Sequence, residues 1–291
     1  MVKNSDVLRL YGPIIPQMNW ANRSQKCYLK KEQSGSGYAH HVKEGTSGRE
    51  EEMEDIDVEN VGLYSRTFLI FEKKSLRHKI LNFRWGHMGK ISAVDLFSSW
   101  AEMGKDEGME TGHAPSVEFM ILKSIPKLDG DFSAIDIGCG NGWLVRKLNT
   151  FENCLRCTGI DGSESMIAKA KSIDSDGDYF CQILPVWTPE EKVDFVISME
   201  FLYYLKEPLK FLSELNKNWL NENGVLAIGI DHYFENTSSL SWSESLGVSM
   251  TTLSIQEWTK GFEDAGFSDI ELYQYGEKEN WAGTLVIVGQ K

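Results

Sequence analysis

The stretch Phe132-Ser-Ala-Ile-Asp136-Ile-Gly138-Cys139-Gly140-Asn141-Gly142-Trp143-Leu-Val-Arg-Lys-Leu148 decides how the rest of the chain reads. A short apolar, β-prone run over residues 132–136 ends in an acid, three glycines follow at alternate positions, and a helical pattern begins at Trp143. Glycine permits positive φ and, lacking Cβ, lets a ligand press against the backbone. The helix beyond it starts with unsatisfied N–H groups aimed at whatever lies in front. Strand, glycine loop and helix together mark a nucleotide-type pocket, a feature shared by several folds. A dinucleotide fingerprint would need Gly or Ala at position 143, where this chain has Trp. The lysine and hydroxyl that complete a P-loop are also missing.

Downstream, strands and helices alternate. Residues 155–160 form a second apolar strand that runs into Asp161, 23 residues after Gly138. The spacing then predicts a helix over 165–172, strands over 179–184 and 193–198 with a turn at Trp187-Thr-Pro189 between them, and a helix over 208–220. That helix carries Leu209, Leu212, Leu215 and Trp219 on one face. A strand at 225–230, a helix at 255–265 and strands at 270–275 and 285–288 follow. Such alternation predicts an α/β fold: a Rossmann-like, seven-stranded, mostly parallel sheet with helices on both faces. Too few residues separate the last two strands for a crossover helix, so they are expected to pair as a C-terminal antiparallel hairpin at the sheet edge.

A strand ending in acid, then G-x-G-x-G, then an acid ending the next strand resembles motif I and its partner acid in the class I S-adenosylmethionine-dependent methyltransferases. Ser163-Glu-Ser-Met166 after Asp161 is similar to the D-x-S-x-x-M pattern of the small-molecule members. The resemblance covers roughly residues 133–289. It implies S-adenosyl-L-methionine as cofactor and Asp136, Gly138, Cys139, Gly140, Asn141, Gly142, Asp161, Gly162 and Met166 as its contacts. The carboxylate of Asp161 is expected to accept hydrogen bonds from the ribose hydroxyls. The family often places an acid near the end of the third strand; this chain has Phe180-Cys-Gln182-Ile-Leu, so Gln182 is the expected adenine contact. Ser198-Met199-Glu200-Phe-Leu-Tyr203-Tyr204 resembles the segment beside the methyl group, with Met199 packing on the cofactor.

Upstream, residues 1–87 are polar and punctuated and are expected to be a low-order extension, with Ser34-Gly-Ser-Gly37, the pair His40-His41 and an acidic run from Glu50 to Asp57. Residues 64–71 form a short apolar run. Patterning becomes coherent near Met88, which makes a start of translation there, or a dispensable leader before it, the expectation. Residues 88–131 are read as helices forming a lid, at 93–100 and 116–122, joined by the glycine-marked segment 104–113; residues 132–291 are read as the methyltransferase domain. Residues 1–87 hold 14 Lys+Arg against 11 Asp+Glu, and the remainder 16 against 32. A surface that acidic repels phosphate backbones, so nucleic acid is a poor substrate and a small molecule is expected. No apolar run reaches the roughly 18 residues a membrane span needs, the N-terminus lacks the apolar stretch of a signal peptide, and a cytoplasmic location is the expectation. The five cysteines are scattered, and Cys154-Leu-Arg-Cys157 has no second pair to complete a zinc set, so reduced structural cysteines and no metal are expected.

Methyl transfer from a sulfonium is an in-line displacement that asks the protein chiefly for alignment. In open α/β sheets ligands lie beyond the carboxyl ends of the strands. Glu200, Tyr203 and His232 reach that edge and are the expected catalytic groups, His232 as general base. Trp100, His113, Tyr204, Asp231, Tyr233 and Trp242 are the expected acceptor-pocket walls, supplied by segments 104–113 and 234–252. Two rival readings stand beside this one. The first is a non-catalytic cofactor-binding relative; the second, disfavoured by Trp143 and the terminal strand pair, is a nicotinamide-dependent oxidoreductase.

Overall fold

A computed structural model describes residues 90–291. The expectations for residues 1–87, for Met88 and for the 64–71 run lie outside the described residues. The described part opens with two helices, α1 (Ala93–Glu102) and α2 (Glu107–Ser124). There follow β1 (Phe132–Ile137), α3 (Trp143–Leu148), β2 (Cys154–Asp161), α4 (Glu164–Ile173), β3 (Asp178–Cys181), β4 (Val193–Met199), α5 (Pro208–Glu214), β5 (Leu220–Ile230), α6 (Trp242–Ser245), α7 (Ile255–Asp264), β6 (Ser268–Tyr275) and β7 (Thr284–Gln290).

The seven strands form one sheet in the order β3-β2-β1-β4-β5-β7-β6. The first five are parallel to their neighbours, while β7 runs antiparallel to both β5 and β6. This is the Rossmann-like arrangement that the alternation predicts, with the terminal strands paired and β6 outermost. Because the central strands are covered on both faces, each reads as a near-continuous apolar run. Successive side chains go to opposite cores. Phe132, Ala134, Val225 and Ala227 pack with α2, α3 and α4. Ile135, Ile137, Leu226 and Ile228 pack with Phe211, Trp219, Trp258 and Phe262 on the other face.

Three local expectations change. The glycine-marked segment 104–113 is mostly helix, because α2 starts at Glu107 and runs through Gly108, Gly112 and Pro115. Its second half buries Val117, Met120 and Ile121 against the sheet, and that burial outweighs the poor propensity of the first half. Strand β3 stops at Cys181, since the chain turns away after Gln182 N–H donates to the Asp161 carbonyl at 2.9 Å. The helix expected over 208–220 is α-helical only to Glu214 and then widens into a π turn over Leu215–Trp219. Cys154 and Cys157 both lie on β2 and both are free thiols; a register shift between them leaves Cys154 opposite Phe132 and Cys157 opposite Ala134, so both meet the same core.

The glycine loop is seated from below by one ring. Gly142 has φ +77°, and a Cβ there would fall 2.4 Å from the Tyr179 ring. That ring cannot swing aside freely, because its hydroxyl donates to Asp174 at 2.9 Å. Gly142→Ala is therefore expected to destabilise the protein by about 2–3 kcal/mol, read as a lowered urea midpoint with unchanged m-value.

Candidate active site

The carboxyl ends of β1, β2 and β4 open into a cleft of about 1020 Å³, part of it open to solvent. Its floor is the glycine loop. Gly138 and Cys139 N–H donate to the Ile160 carbonyl at 2.8 and 3.1 Å, and Gly140 N–H donates to Asp161 Oδ2 at 3.0 Å. The loop is thereby hung from the end of β2. Gly138, Gly140 and Gly142 all have positive φ, as their spacing requires. Their reasons differ. A Cβ at Gly138 would strike Phe201 at 2.8 Å, whereas at Gly140 it would meet nothing within 4 Å. Gly140 is the point where bare backbone faces the open cleft.

Two acids flank this floor. Asp136 is almost fully buried, and burial with the nearby Asp161 charge pushes its carboxyl up to about 8. Asp161 is also raised by burial, offset by the N–H groups of Ser163, Gly140 and Gly162 that it accepts. Asn141 donates its Nδ2 to Asp106 at 2.9 Å, while its Oδ1 is buried with no donor among the described residues. Met166, Gln182, Met199 and Gly162 also line the cleft, as do Cys139 and Trp143. Of the expected cofactor contacts, only Gly142 is set back from the lining, under the Tyr179 ring.

At the far end stands Glu200, the residue after β4. It has φ +58°, an unusual conformation for a side chain of its size. Its backbone N–H donates to the Gly229 carbonyl at 2.8 Å. Oε2 accepts the Tyr203 hydroxyl at 2.7 Å, and Oε1 accepts the Asp231 backbone N–H. Burial and the Asp231 charge hold the carboxyl well above the ordinary glutamate range. Strain of this kind persists only where surrounding structure imposes it, and it collects at functional sites. Tyr204, Phe97 and Phe201 complete this end, and α2 adds Met109 and His113 from above. Burial lowers the His113 imidazole below its ordinary value, so it is neutral at pH 7.

The expected catalytic and acceptor residues divide. Glu200, Tyr204 and His113 line the cleft, and Tyr203 lies directly beneath Glu200. His232 does not line it. This imidazole is buried, with Nδ1 at 3.0 Å from the Ser239 carbonyl and Nε2 at 2.8 Å from the Thr252 hydroxyl, so both nitrogens are occupied in tying the loop after β5. Asp231 is buried behind Glu200, with its carboxyl raised by burial to about 6. Tyr233 is fully buried, donating toward the carbonyls of Ala282 and Gly283, both at 3.1 Å. Trp100 packs edge-on against Phe97, and Trp242 stacks on Trp281. These four lie away from the lining: Trp100 on α1 packs against Phe97 and Lys105, and the chain after β5 folds back toward the β6–β7 turn, taking Trp242 with it. Residues that escaped the sequence reading include Asp106, which grips the glycine loop, and the apolar Phe97, Met109 and Phe201. The i, i+3, i+7 spacing of Asp106, Met109 and His113 was the available signal for a shared helical face.

Residues 135–228 match a family model described as a methyltransferase domain. Trans-aconitate 2-methyltransferase of Escherichia coli O157:H7 (strain EC4115 / EHEC) is 33% identical over 127 residues, which are 43% of this chain and 49% of that enzyme. The relative from Shigella dysenteriae serotype 1 is 29% identical over 152 residues, 52% of this chain and 54% of that one. The chain thus spans about half the length of the curated relatives it matches. Among solved structures, a chain from the complex of the Haloferax volcanii Trm112 methyltransferase activator with a putative methyltransferase is similar, with a TM-score of 0.58 and 26% identity. That match covers 67% of this chain and 96% of that one. A S-adenosylmethionine-dependent methyltransferase from Mesorhizobium loti, at 17% identity and a TM-score of 0.52, shares the fold over 62% of this chain and 97% of its own. Residues 135–228 are thus similar to a methyltransferase domain, and the sheet and its helices share the fold of these methyltransferase structures.

Asp136 sets the sign of a pH effect. Its carboxyl titrates near 8 when folded, against about 3.9 unfolded. The folded state therefore holds the extra proton, and this group's contribution to stability is lost as pH rises from about 4 through 8. Asp136→Asn is expected to flatten the fall in stability of the ligand-free protein between pH 6 and 8.5, measured as urea midpoints across that range.

Proposed function

We propose that this protein transfers a methyl group from S-adenosylmethionine to a small-molecule acceptor by in-line displacement. The observation that carries the reading is one cleft with two differently built ends. At one end is a glycine loop bonded to Asp161; at the other is Glu200, held in a left-handed conformation by Tyr203 and the Asp231 N–H.

The residues present fit the cofactor. Bare backbone at Gly140 leaves room for close approach, Asn141 Oδ1 is an acceptor in want of a donor, and Asp161 keeps lone pairs free for ribose hydroxyls. Asp136 would face the cationic part of the molecule, and Gln182 the adenine side. When bound, S-adenosylmethionine supplies an activated methyl group on a sulfonium. The chain's own groups align the acceptor and exclude water: Phe97, Phe201 and Tyr204 wall the far end, and Met109 and neutral His113 roof it. Glu200 holds or receives a proton at Oε, since burial beside Asp231 makes its conjugate acid weak. We read His232 as a tie of the loop after β5 rather than as the base.

The charge of the cleft favours a neutral or cationic acceptor. The ionisable side chains among the described lining residues are Asp136, Asp161, Glu200, Tyr204, His113 and Cys139, whose thiol burial keeps protonated. The described lining has no Lys or Arg to pair a polycarboxylate, the acceptor that the name of the Escherichia coli relative implies, whereas its acids can pair a cation. We therefore place amines first among acceptors. Among the described residues no helix is long and apolar enough to cross a membrane.

A screen of amines, phenols, carboxylates and thiols with methyl-labelled S-adenosylmethionine tests this reading. Label is expected on an amine; cofactor bound with no label moved to any class would refute it. Asp161→Ala should abolish cofactor binding by calorimetry. Glu200→Gln should leave affinity for S-adenosylhomocysteine unchanged while lowering turnover roughly 100-fold or more.

A further inference from the structure

Asp106 is a fully buried carboxylate outside the group of residues just assigned. It sits in the turn between α1 and α2, where its side chain caps nothing. Burying a charge is costly unless it is paired and hydrogen-bonded, and Asp106 has two partners. Oδ1 accepts Lys169 Nζ at 2.8 Å, and Oδ2 accepts Asn141 Nδ2 at 2.9 Å. Both partners belong to the cofactor end of the cleft. Asn141 is in the glycine loop, and Lys169 is on α4, the helix that leaves the Asp161 turn. The two N-terminal helices meet this end at two further points. Ser98 Oγ lies 2.7 Å from Ser163 Oγ, and Val94 packs so closely over Gly162 that a Cβ there would fall 2.8 Å from it.

We propose that Asp106 is the positioning residue that docks α1 and α2 onto the cofactor loop, coupling closure of the cleft's roof to cofactor binding. The inference rests on the cofactor reading of this cleft. Two consequences of the geometry support it. Donation from Asn141 Nδ2 to a carboxylate fixes the orientation of the amide, so Oδ1 is turned away from Asp106 as the acceptor that lacks a donor. And Asp106 immediately precedes the helix whose Met109 and His113 line the cleft, three and seven residues further on. Loosening Asp106 frees the loop's amide and the roof together. A plain structural ion pair would do neither, since an apolar pair of similar volume could stabilise that contact equally well.

The test uses Asp106→Asn, which keeps the shape, with Asp106→Glu as the charge-retaining comparison and Lys169→Met as the partner variant. Affinity for S-adenosylhomocysteine is read by calorimetry, and amide hydrogen exchange over residues 93–124 is read with and without it. Asp106→Asn is expected to weaken binding roughly ten- to hundredfold, with KM for S-adenosylmethionine rising by more than kcat falls. Exchange over α1 and α2 should rise even in the free protein, while β1, β4 and β5 stay protected, which shows that the variant is folded. Asp106→Glu should recover part of the affinity, and adding Lys169→Met to Asp106→Asn should cost less than the two single losses combined. Wild-type affinity and wild-type exchange in Asp106→Asn would overturn the proposal and leave the cofactor reading intact. Failure of the wild-type protein to bind S-adenosylhomocysteine would overturn both.

Discussion

Two backbone N–H groups of the glycine loop, at Gly138 and Cys139, share the carbonyl of Ile160, and a third, at Gly140, reaches the carboxylate of Asp161 one residue on. Neighbouring parallel strands end at the same sheet edge, so the loop leaving β1 can be satisfied by the end of β2 without any side chain of its own. That economy leaves the face of the loop free. The same bonds carry a cost, because they hold Asp136 and Asp161 out of water, where burial makes both reluctant to ionise and the Asp161 charge adds to the shift at Asp136. Glu200 at the opposite end repeats the pattern with different means: a strained backbone, a phenol and a borrowed N–H keep a carboxylate where solvation alone would not.

Most of the fold and the lining of the glycine-loop end of the cleft were legible in the sequence because both depend on short-range regularities. The glycines at 138, 140 and 142 each need positive φ, and a strand that ends in Asp161 needs only a few residues to announce itself. The sheet followed from alternation, and the terminal strand pair from the length of one loop. What was hidden depends on residues brought together from far apart. Asp106 looks like any surface acid in a charged, glycine-broken segment; Lys169 is 63 residues away. His232 has the chemistry of a base, but its partners Ser239 and Thr252 come from a connection whose path no periodicity reveals. Tyr203 and Tyr204 are adjacent in the chain yet do different jobs, one buried under Glu200 and one facing the cleft, because a single turn of 3₁₀ helix separates their directions.

The strand order β5-β7-β6 has a consequence for how the protein is made. In chain order β6 comes before β7, but in space β7 lies between β6 and the rest of the sheet. During synthesis β6 has no strand to join, and β5, with Val225, Leu226, Ala227 and Ile228 already in place, presents a bare apolar edge of unpaired backbone groups. Such edges are templates for the wrong partner. The sheet closes only when residues 284–290 arrive to fill the gap, so a stretch far from the cleft governs how long the nascent chain stays exposed to misassembly.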